Sequence, residues 1–275
     1  MTYTRRSWRL LITPPSRGDW NMAVDEAILE GVEAHKSPPC LRLYAWQPPC
    51  LSIGYAQPKS DIDFPRLHAL GWDWVRRPTG GRAILHTDEL TYSVIAPAAD
   101  PRVAGGVLES YQRLSAALLA ALHTLNLNAQ SQPDRISTTN QANGAVCFEV
   151  PSNYEIVIQG KKIIGSAQAR RKNAVLQHGT FPLWGDLTRI TEVLSFEDEQ
   201  SRHRAATRLL SHATTAETVL DNRLTWDETA QAFIHGFQSE LDLKLIPADL
   251  SPEEKKRAEV LVHEKYAHPS WLERI

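Results

Sequence analysis

Tyr154-Glu-Ile-Val-Ile-Gln-Gly-Lys-Lys-Ile-Ile-Gly-Ser-Ala-Gln168 is the stretch that decides the fold class. Its two runs, Tyr154–Gln159 and Lys162–Gln168, have strand alternation and are split by a Gly160-Lys161 turn, the signature of a β-hairpin. Val175–Leu183 adds a third strand just downstream. Upstream, Leu41–Trp46 and Leu51–Tyr55 read as strands joined through Gln47-Pro48-Pro49, and Trp72–Arg76, Ala83–Leu85 and Leu90–Ile95 as further short ones. Helices flank this region. Residues 20–35 carry helix formers with Asp19 as an N-cap, and Tyr111, Leu114, Leu118, Leu122 and Leu125 form an apolar stripe along residues 109–127. From Leu187 onward the chain is mostly helical in character, with Leu224–Leu241 capped by Thr225 and Pro252–Tyr266 capped by Ser251. Residues 128–145 are polar, lack periodicity and read as a long loop of the kind that often covers a substrate. The predicted class is α+β with a largely antiparallel sheet.

Composition narrows the function classes. The 275 residues suffice for one large or two modest domains, and 42% hydrophobic with 23% charged residues is ordinary for a soluble globular chain. A net charge of −2 gives no global signal for nucleic acid or a membrane surface. No apolar run approaches the ~18 residues of a membrane span, and the short N-terminal apolar stretch stops at Pro14-Pro15. Cys40, Cys50 and Cys147 form no CxxC pair, which argues against a disulfide framework or zinc knuckle and for a reducing cytoplasm.

Two segments carry candidate chemistry. Cys147 is followed by Phe-Glu-Val-Pro-Ser-Asn-Tyr-Glu and then by the lysine-bearing hairpin. A nearby ammonium favours thiolate over thiol, and thiolate is the nucleophile, so the segment reads as an acyl-transfer site. Lys161 and Lys162 have opposite strand parity, so only one faces that site. The second segment is Arg76-Arg77-Pro78-Thr79-Gly80-Gly81-Arg82-Ala83-Ile84-Leu85-His86. Its paired glycines allow a ligand to approach backbone N–H groups and its arginines can bind an anion; an ordinary hairpin turn with solvated arginines fits equally well. His86 and His178 read as catalytic or as packed structural histidines. Cys40 and Cys50 read as small core residues. Lysines and arginines at 161, 162, 170, 171 and 172 form a local positive cluster, a solvated face or a docking patch for an acidic partner. No HExxH, phosphate-loop, GxGxxG or GxSxG pattern is present, so no metal and no cofactor is expected.

Taken together these blocks resemble the lipoate-protein ligase A/B superfamily over about residues 10–215. Asn21–Ala27 resembles its first helix, Arg76–His86 its ligand-binding loop, Gly160–Gln168 its lysine strand, Gln177–Thr180 the segment after it, and Lys265-Tyr266 with Trp271 a C-terminal signature. Within the superfamily the chain is most similar to the LipM-type octanoyltransferases, because Cys147 precedes the lysine strand and the loop reads Gly-Gly-Arg. Cys50 departs from the threonine or alanine expected at its place, a change of packing.

The resemblance implies a fold like the catalytic domains of biotin protein ligases and lipoate ligases, spanning residues 1–245, with 246–275 a helical tail packed on it. It implies transfer of an octanoyl group from octanoyl-acyl carrier protein to a lysine of a lipoyl domain, such as the glycine cleavage H protein. Cys147 would hold the acyl group as a thioester and Lys162 would be its cationic partner. Thr79, Gly80, Gly81, Arg82, Gly165, Ser166 and Ala167 would shape the acyl pocket, with Arg77, His86, His178 and Gly179 beside it. Three alternatives stay open: an ATP-dependent lipoate-protein ligase, an amidotransferase between lipoyl domains, and a catalytically silent lipoyl-binding module.

Overall fold

The computed structural model describes residues 3–133 and 154–275. The chain runs β1 (Arg6–Ile12), α1 (Gly18–Glu33), β2 (Cys40–Tyr44), β3 (Cys50–Ile53), α2 (Phe64–Ala69), β4 (Asp73–Arg76), β5 (Ile84–His86), β6 (Glu89–Pro97), α3 (Val107–Thr124) and β7 (Gln130–Pro133). It continues with β8 (Tyr154–Ile158), β9 (Lys161–Arg170), β10 (Ala174–Pro182), α4 (Glu199–His212), α5 (Ala216–Leu220), α6 (Trp226–Leu241), β11 (Leu243–Pro247), α7 (Pro252–Leu261) and α8 (Pro269–Leu272).

Eight strands among the described residues form one sheet in the order β11-β1-β2-β6-β10-β9-β8-β7. The pairs β1–β11 and β1–β2 are parallel, and the pairs from β2 to β7 are antiparallel. The expected α+β class with a largely antiparallel sheet is what forms. β3, β4 and β5 make a separate three-stranded sheet.

Each face of the large sheet buries a different helix set. On one face α3 and α6 pack leucines and phenylalanines such as Leu114, Leu118, Phe233 and Phe237 against Leu43, Tyr92 and Phe181. The leucine stripe read from residues 109–127 is this buried face. On the other face α1 and α7 cover Leu11, Cys40, Ile95 and Leu176. A third cluster joins the small sheet to α4 and the 3₁₀ turn Leu187–Val193 through Leu51, Ile53, Ile190 and Leu209.

Several local expectations shift. The turn between β8 and β9 is Gln159-Gly160, both left-handed at φ 51° and 76°, rather than Gly160-Lys161. Arg17, not Asp19, occupies the N-cap of α1; Asp19 lies in the first turn and accepts from Arg17 and from the Trp20 N–H. Thr225 and Ser251 do cap α6 and α7, each in a reciprocal capping box. Helical character after Leu187 is interrupted by β11. The loop read over residues 128–145 opens with β7, and its remainder lies outside the described residues. Among the described residues no helix is long and apolar enough to cross a membrane.

Candidate active site

A cavity of about 430 Å³ lies between the two sheets, a size typical of small-ligand sites. The large sheet supplies Lys162, Gly165, Ser166 and Ala167 from β9 and His178 and Gly179 from β10. The small sheet and its loops supply Arg77, Gly80, Gly81, Arg82 and His86. Thr79 stands behind this wall, its Oγ1 2.7 Å from His178 Nε2. The structure therefore gathers every sequence-predicted site residue it describes around one space. Cys147 lies outside the described residues.

Lys162 is 4% exposed and donates from Nζ to Glu155 Oε1 at 2.9 Å across the β8–β9 hairpin. Lys161 points away and donates to the Leu210 carbonyl at 2.6 Å. Of the two lysines of opposite parity, Lys162 is the one on the cavity wall, the one the resemblance implied. The backbone on this side is tied to the end of α4, where Thr214 N–H donates to the Lys162 carbonyl.

The paired arginines do a different job from anion binding. Arg76 is fully buried and its guanidinium donates to the carbonyls of Gly54, Tyr55, Gln57, Trp271 and Leu272. It clasps the rim loop to the C-terminal tail, and Trp271 Nε1 returns a bond to the Arg76 carbonyl. Arg77 donates to Ser52 and to the Gly80 and Arg82 carbonyls, holding its own loop in shape while lining the cavity. Gly54 lets this loop close, since a Cβ there would sit 1.9 Å from the Gly81 carbonyl oxygen.

Both histidines are built into hydrogen-bond networks. His86 lies flat on Trp46, with ring centroids 4.0 Å apart and 11° between planes. Its Nδ1 is 2.7 Å from Glu89 Oε1 and its Nε2 is 2.8 Å from Ser52 Oγ. Arg77 also donates to Ser52 Oγ, so Arg77, Ser52, His86 and Glu89 form one buried hydrogen-bonded chain. Both ring nitrogens are thus engaged, which fixes the orientation of His86 on the cavity wall. His178 faces Asp25, Nδ1 to Oδ2 3.7 Å. Burial pushes its pKa down against the opposing pull of Asp25, so it is neutral at pH 7.

Asp25 anchors this side. It is fully buried, paired with Arg42 at 2.7 Å, and accepts from Tyr44 and Ser93. Burial alone would raise its pKa, but the Arg42 guanidinium and His178 more than offset this and hold the carboxyl below its usual range. Sequence reading missed Asp25, Arg42, Glu89 and Glu155. The available signal was a charge on an apolar surface: Asp25 between Met22 and Leu29 on one helix, and Arg42 between Leu41 and Leu43 on one strand.

Cys40 and Cys50 are buried free thiols. Burial pushes Cys40 up to about 12, and Cys50 well above its ordinary value, with Asp73 adding to the effect. Both are core residues, as expected, and Cys50 packs tightly against Gly18. Most of the positive cluster expected at 161–172 is tied into the fold, while Lys172 is exposed. Lys162 pairs with Glu155, Arg170 bonds Ser110, Gln168 and the Val103 carbonyl, and Arg171 pairs with Glu26 at 2.5 Å. Glu26 also receives Lys265 at 2.6 Å and the Tyr266 hydroxyl, which places the C-terminal signature on α1.

Comparison with known proteins follows the geometry. A family model described as the lipoyl protein ligase A/B catalytic domain matches residues 18–238. The chain is 39% identical over 270 residues to a Kyrpidia tusciae protein named octanoyltransferase LipM, covering 97% of this chain and 98% of that one. A Bacillus subtilis protein of the same name is 36% identical over 273 residues, covering 97% and 98%. A chain from the structure of a bi-partite lipoate protein ligase and its E2 lipoyl domain, from Thermoplasma acidophilum, superposes with a TM-score of 0.81 at 25% identity, covering 97% of this chain and 96% of that chain. Full-length kinship, the lipoate ligase-like sheet and the lysine-lined cavity agree: the chain belongs to the lipoyl protein ligase A/B catalytic domain family.

Proposed function

We propose that this enzyme is an octanoyltransferase of protein lipoylation working through a thioester on Cys147. In the first half-reaction the Cys147 thiolate attacks the carbonyl of octanoyl-acyl carrier protein; the new C–S bond forms as the carrier's thiolate leaves. In the second, the ε-amine of a lysine on a lipoyl domain, such as the glycine cleavage H protein, attacks the enzyme thioester. An amide forms, the Cys147 thiolate departs, and the amine's proton is released. Exchange between thioesters is nearly neutral and thioester to amide runs downhill, so no nucleotide is consumed. Cysteine suits both steps as nucleophile and leaving group.

The observation that carries this reading is Lys162: a buried ammonium, held by Glu155, on the wall of a cavity sized for a small acyl group, in a chain whose relatives are named octanoyltransferases. Lys162 lowers the Cys147 pKa and holds the carbonyl oxygen as negative charge develops. Gly165, Ala167 and Gly179 leave room for the aliphatic chain beside Gly80 and Gly81. The raised pKa values of Cys40 and Cys50 leave Cys147 as the cysteine suited to attack. Residues 1–245 form the catalytic domain, 246–275 its helical tail, and the reaction takes place in the cytoplasm.

Intact-mass measurement tests the reading. Mixed with octanoyl-carrier protein and no nucleotide, wild type gains roughly 126 Da, one octanoyl group, whereas Cys147→Ser gains nothing. Product only with free octanoate or lipoate plus ATP would establish a ligase instead. An adduct donated only by octanoyl-lipoyl domain would establish an amidotransferase, and an unmodified wild type that still binds lipoyl domains a silent module.

A further inference from the structure

The acyl cavity has a small neighbour. Behind it lies a second space of about 40 Å³, lined by Leu85, Leu187, Ile190 and Leu209 among others. Ile84 and Thr180 belong to the walls of both spaces. Ile84 comes from β5 of the small sheet and Thr180 from β10 of the large sheet, so the partition stands where the two sheets meet. We propose that Ile84 and Thr180 end the acyl cavity and thereby set the length of chain the enzyme transfers.

The distance fits. Thr180 pairs with Gly165 on β9, three residues from Lys162, which puts about 10 Å of strand between the lysine and the partition. A zigzag of seven C–C bonds of about 1.5 Å, the length of an extended octanoyl chain, spans about 9 Å. An extended octanoyl chain with its carbonyl beside Lys162 is thus long enough to reach Ile84 and Thr180. The far side offers four aliphatic side chains, with Asp88, Glu89 and Asp186 also on its wall, and holds unfilled volume: 40 Å³ exceeds the ~15 Å³ that admits one water-sized probe. Cutting back the partition adds that volume to the end of the acyl cavity, where further methylenes can lie against Leu85, Leu187, Ile190 and Leu209. Thr180 is 1% exposed, and its Oγ1 has no hydrogen-bond partner among the described residues, so its hydroxyl can be replaced without breaking a bond.

This inference rests on the octanoyl-transfer reading, and its test separates the two. Carrier protein loaded with octanoyl, decanoyl or dodecanoyl groups is offered to wild type, Ile84→Ala and the gentler Ile84→Val, with a lipoyl domain as acceptor. The quantity read is the ratio of decanoyl or dodecanoyl to octanoyl transfer within each protein, which loss of folded material does not alter. One methylene in an apolar pocket is worth roughly 10–200-fold in specificity. Ile84→Ala is expected to raise the ratio at least about tenfold, with Ile84→Val between it and wild type. Thr180→Val, which keeps the shape of the wall, is expected to leave the ratio within about twofold of wild type. Ratios unchanged in both Ile84 variants, with wild type transferring octanoyl, overturn this inference alone. A wild type that transfers none of the chains overturns the functional reading and this inference with it.

Discussion

Glu155 and Lys162 meet across the β8–β9 hairpin, carboxylate to ammonium 2.9 Å, with the lysine 4% and the glutamate side chain 18% exposed. The pair presents a localised cation on the cavity wall and fixes where it stands. In the proposed reaction, Lys162→Ala is expected to lower octanoyl transfer about 10²–10³-fold, the effect of removing one donor aimed at a developing oxyanion. Glu155→Gln keeps the lysine but loosens it, and about a tenfold loss, mainly in kcat, is expected. Steady-state transfer assays check both. Equal activity in Lys162→Ala and wild type would remove the lysine from the mechanism.

The buried histidine makes stability depend on pH. The His178 pKa is below its unfolded reference of 6.5, so as pH falls the unfolded chain takes up the proton first. Its contribution is complete above 6.5 and declines below it, at no more than about 1.4 kcal/mol per pH unit. The carboxyl of Asp25, lowered from 3.8, acts in a more acidic window: its contribution is present above 3.8 and lost as pH falls through the folded value. Urea midpoints of wild type are expected to fall between pH 7.5 and 5.5, and to fall less in His178→Gln. Parallel slopes in the two proteins would contradict this account.

Alkylation separates the thiols. With Cys40 raised to about 12 and Cys50 well above its ordinary value, neither supplies thiolate at pH 8. Iodoacetamide is expected to leave both unmodified in the folded protein and to label both in urea, as peptide mapping would record. Cys40→Ala and Cys50→Ala are expected to cost about 1–2 kcal/mol of stability while transfer activity persists.

Arg76 bonds the carbonyls of the rim loop and of the tail and pairs with no carboxylate among the described residues. Arg76→Ala leaves buried acceptors unpaired, at about 1–3 kcal/mol for each that finds no water. The expected result is a lower melting temperature together with a raised KM for the acyl donor, because the loop that brings Ala56 and Gln57 to the cavity wall loses its brace. Arg76→Lys, which lacks the planar fork, is expected to recover only part of either loss.

How much was legible depended on the range of each interaction. The lysine hairpin, the leucine stripe of α3 and the caps Thr225 and Ser251 are local patterns, and all three formed. The parity of Lys161 and Lys162 was legible for the same reason. β1 and β11 were missed because they pair with each other across more than two hundred residues, Arg6 opposite Leu243, and neither run announces itself alone. Glu155, Asp25 and Arg42 escaped because a charge in a strand or helix reveals its partner only once the sheet assembles. Arg76 was misread for a related cause: an exposed anion-binding arginine and one buried among carbonyls look identical in sequence.

The clasp at Arg76 also orders events in time. Residues 54–57 and Arg76 leave the ribosome early, yet the other carbonyls that Arg76 holds sit at Trp271 and Leu272, Trp271 being 195 residues further on. A nascent chain can pair its strands and bury its leucines while the cavity rim is still unfastened. The clasp is thus completed after the rest, and a polypeptide truncated shortly before Trp271 would fold around an unlatched door.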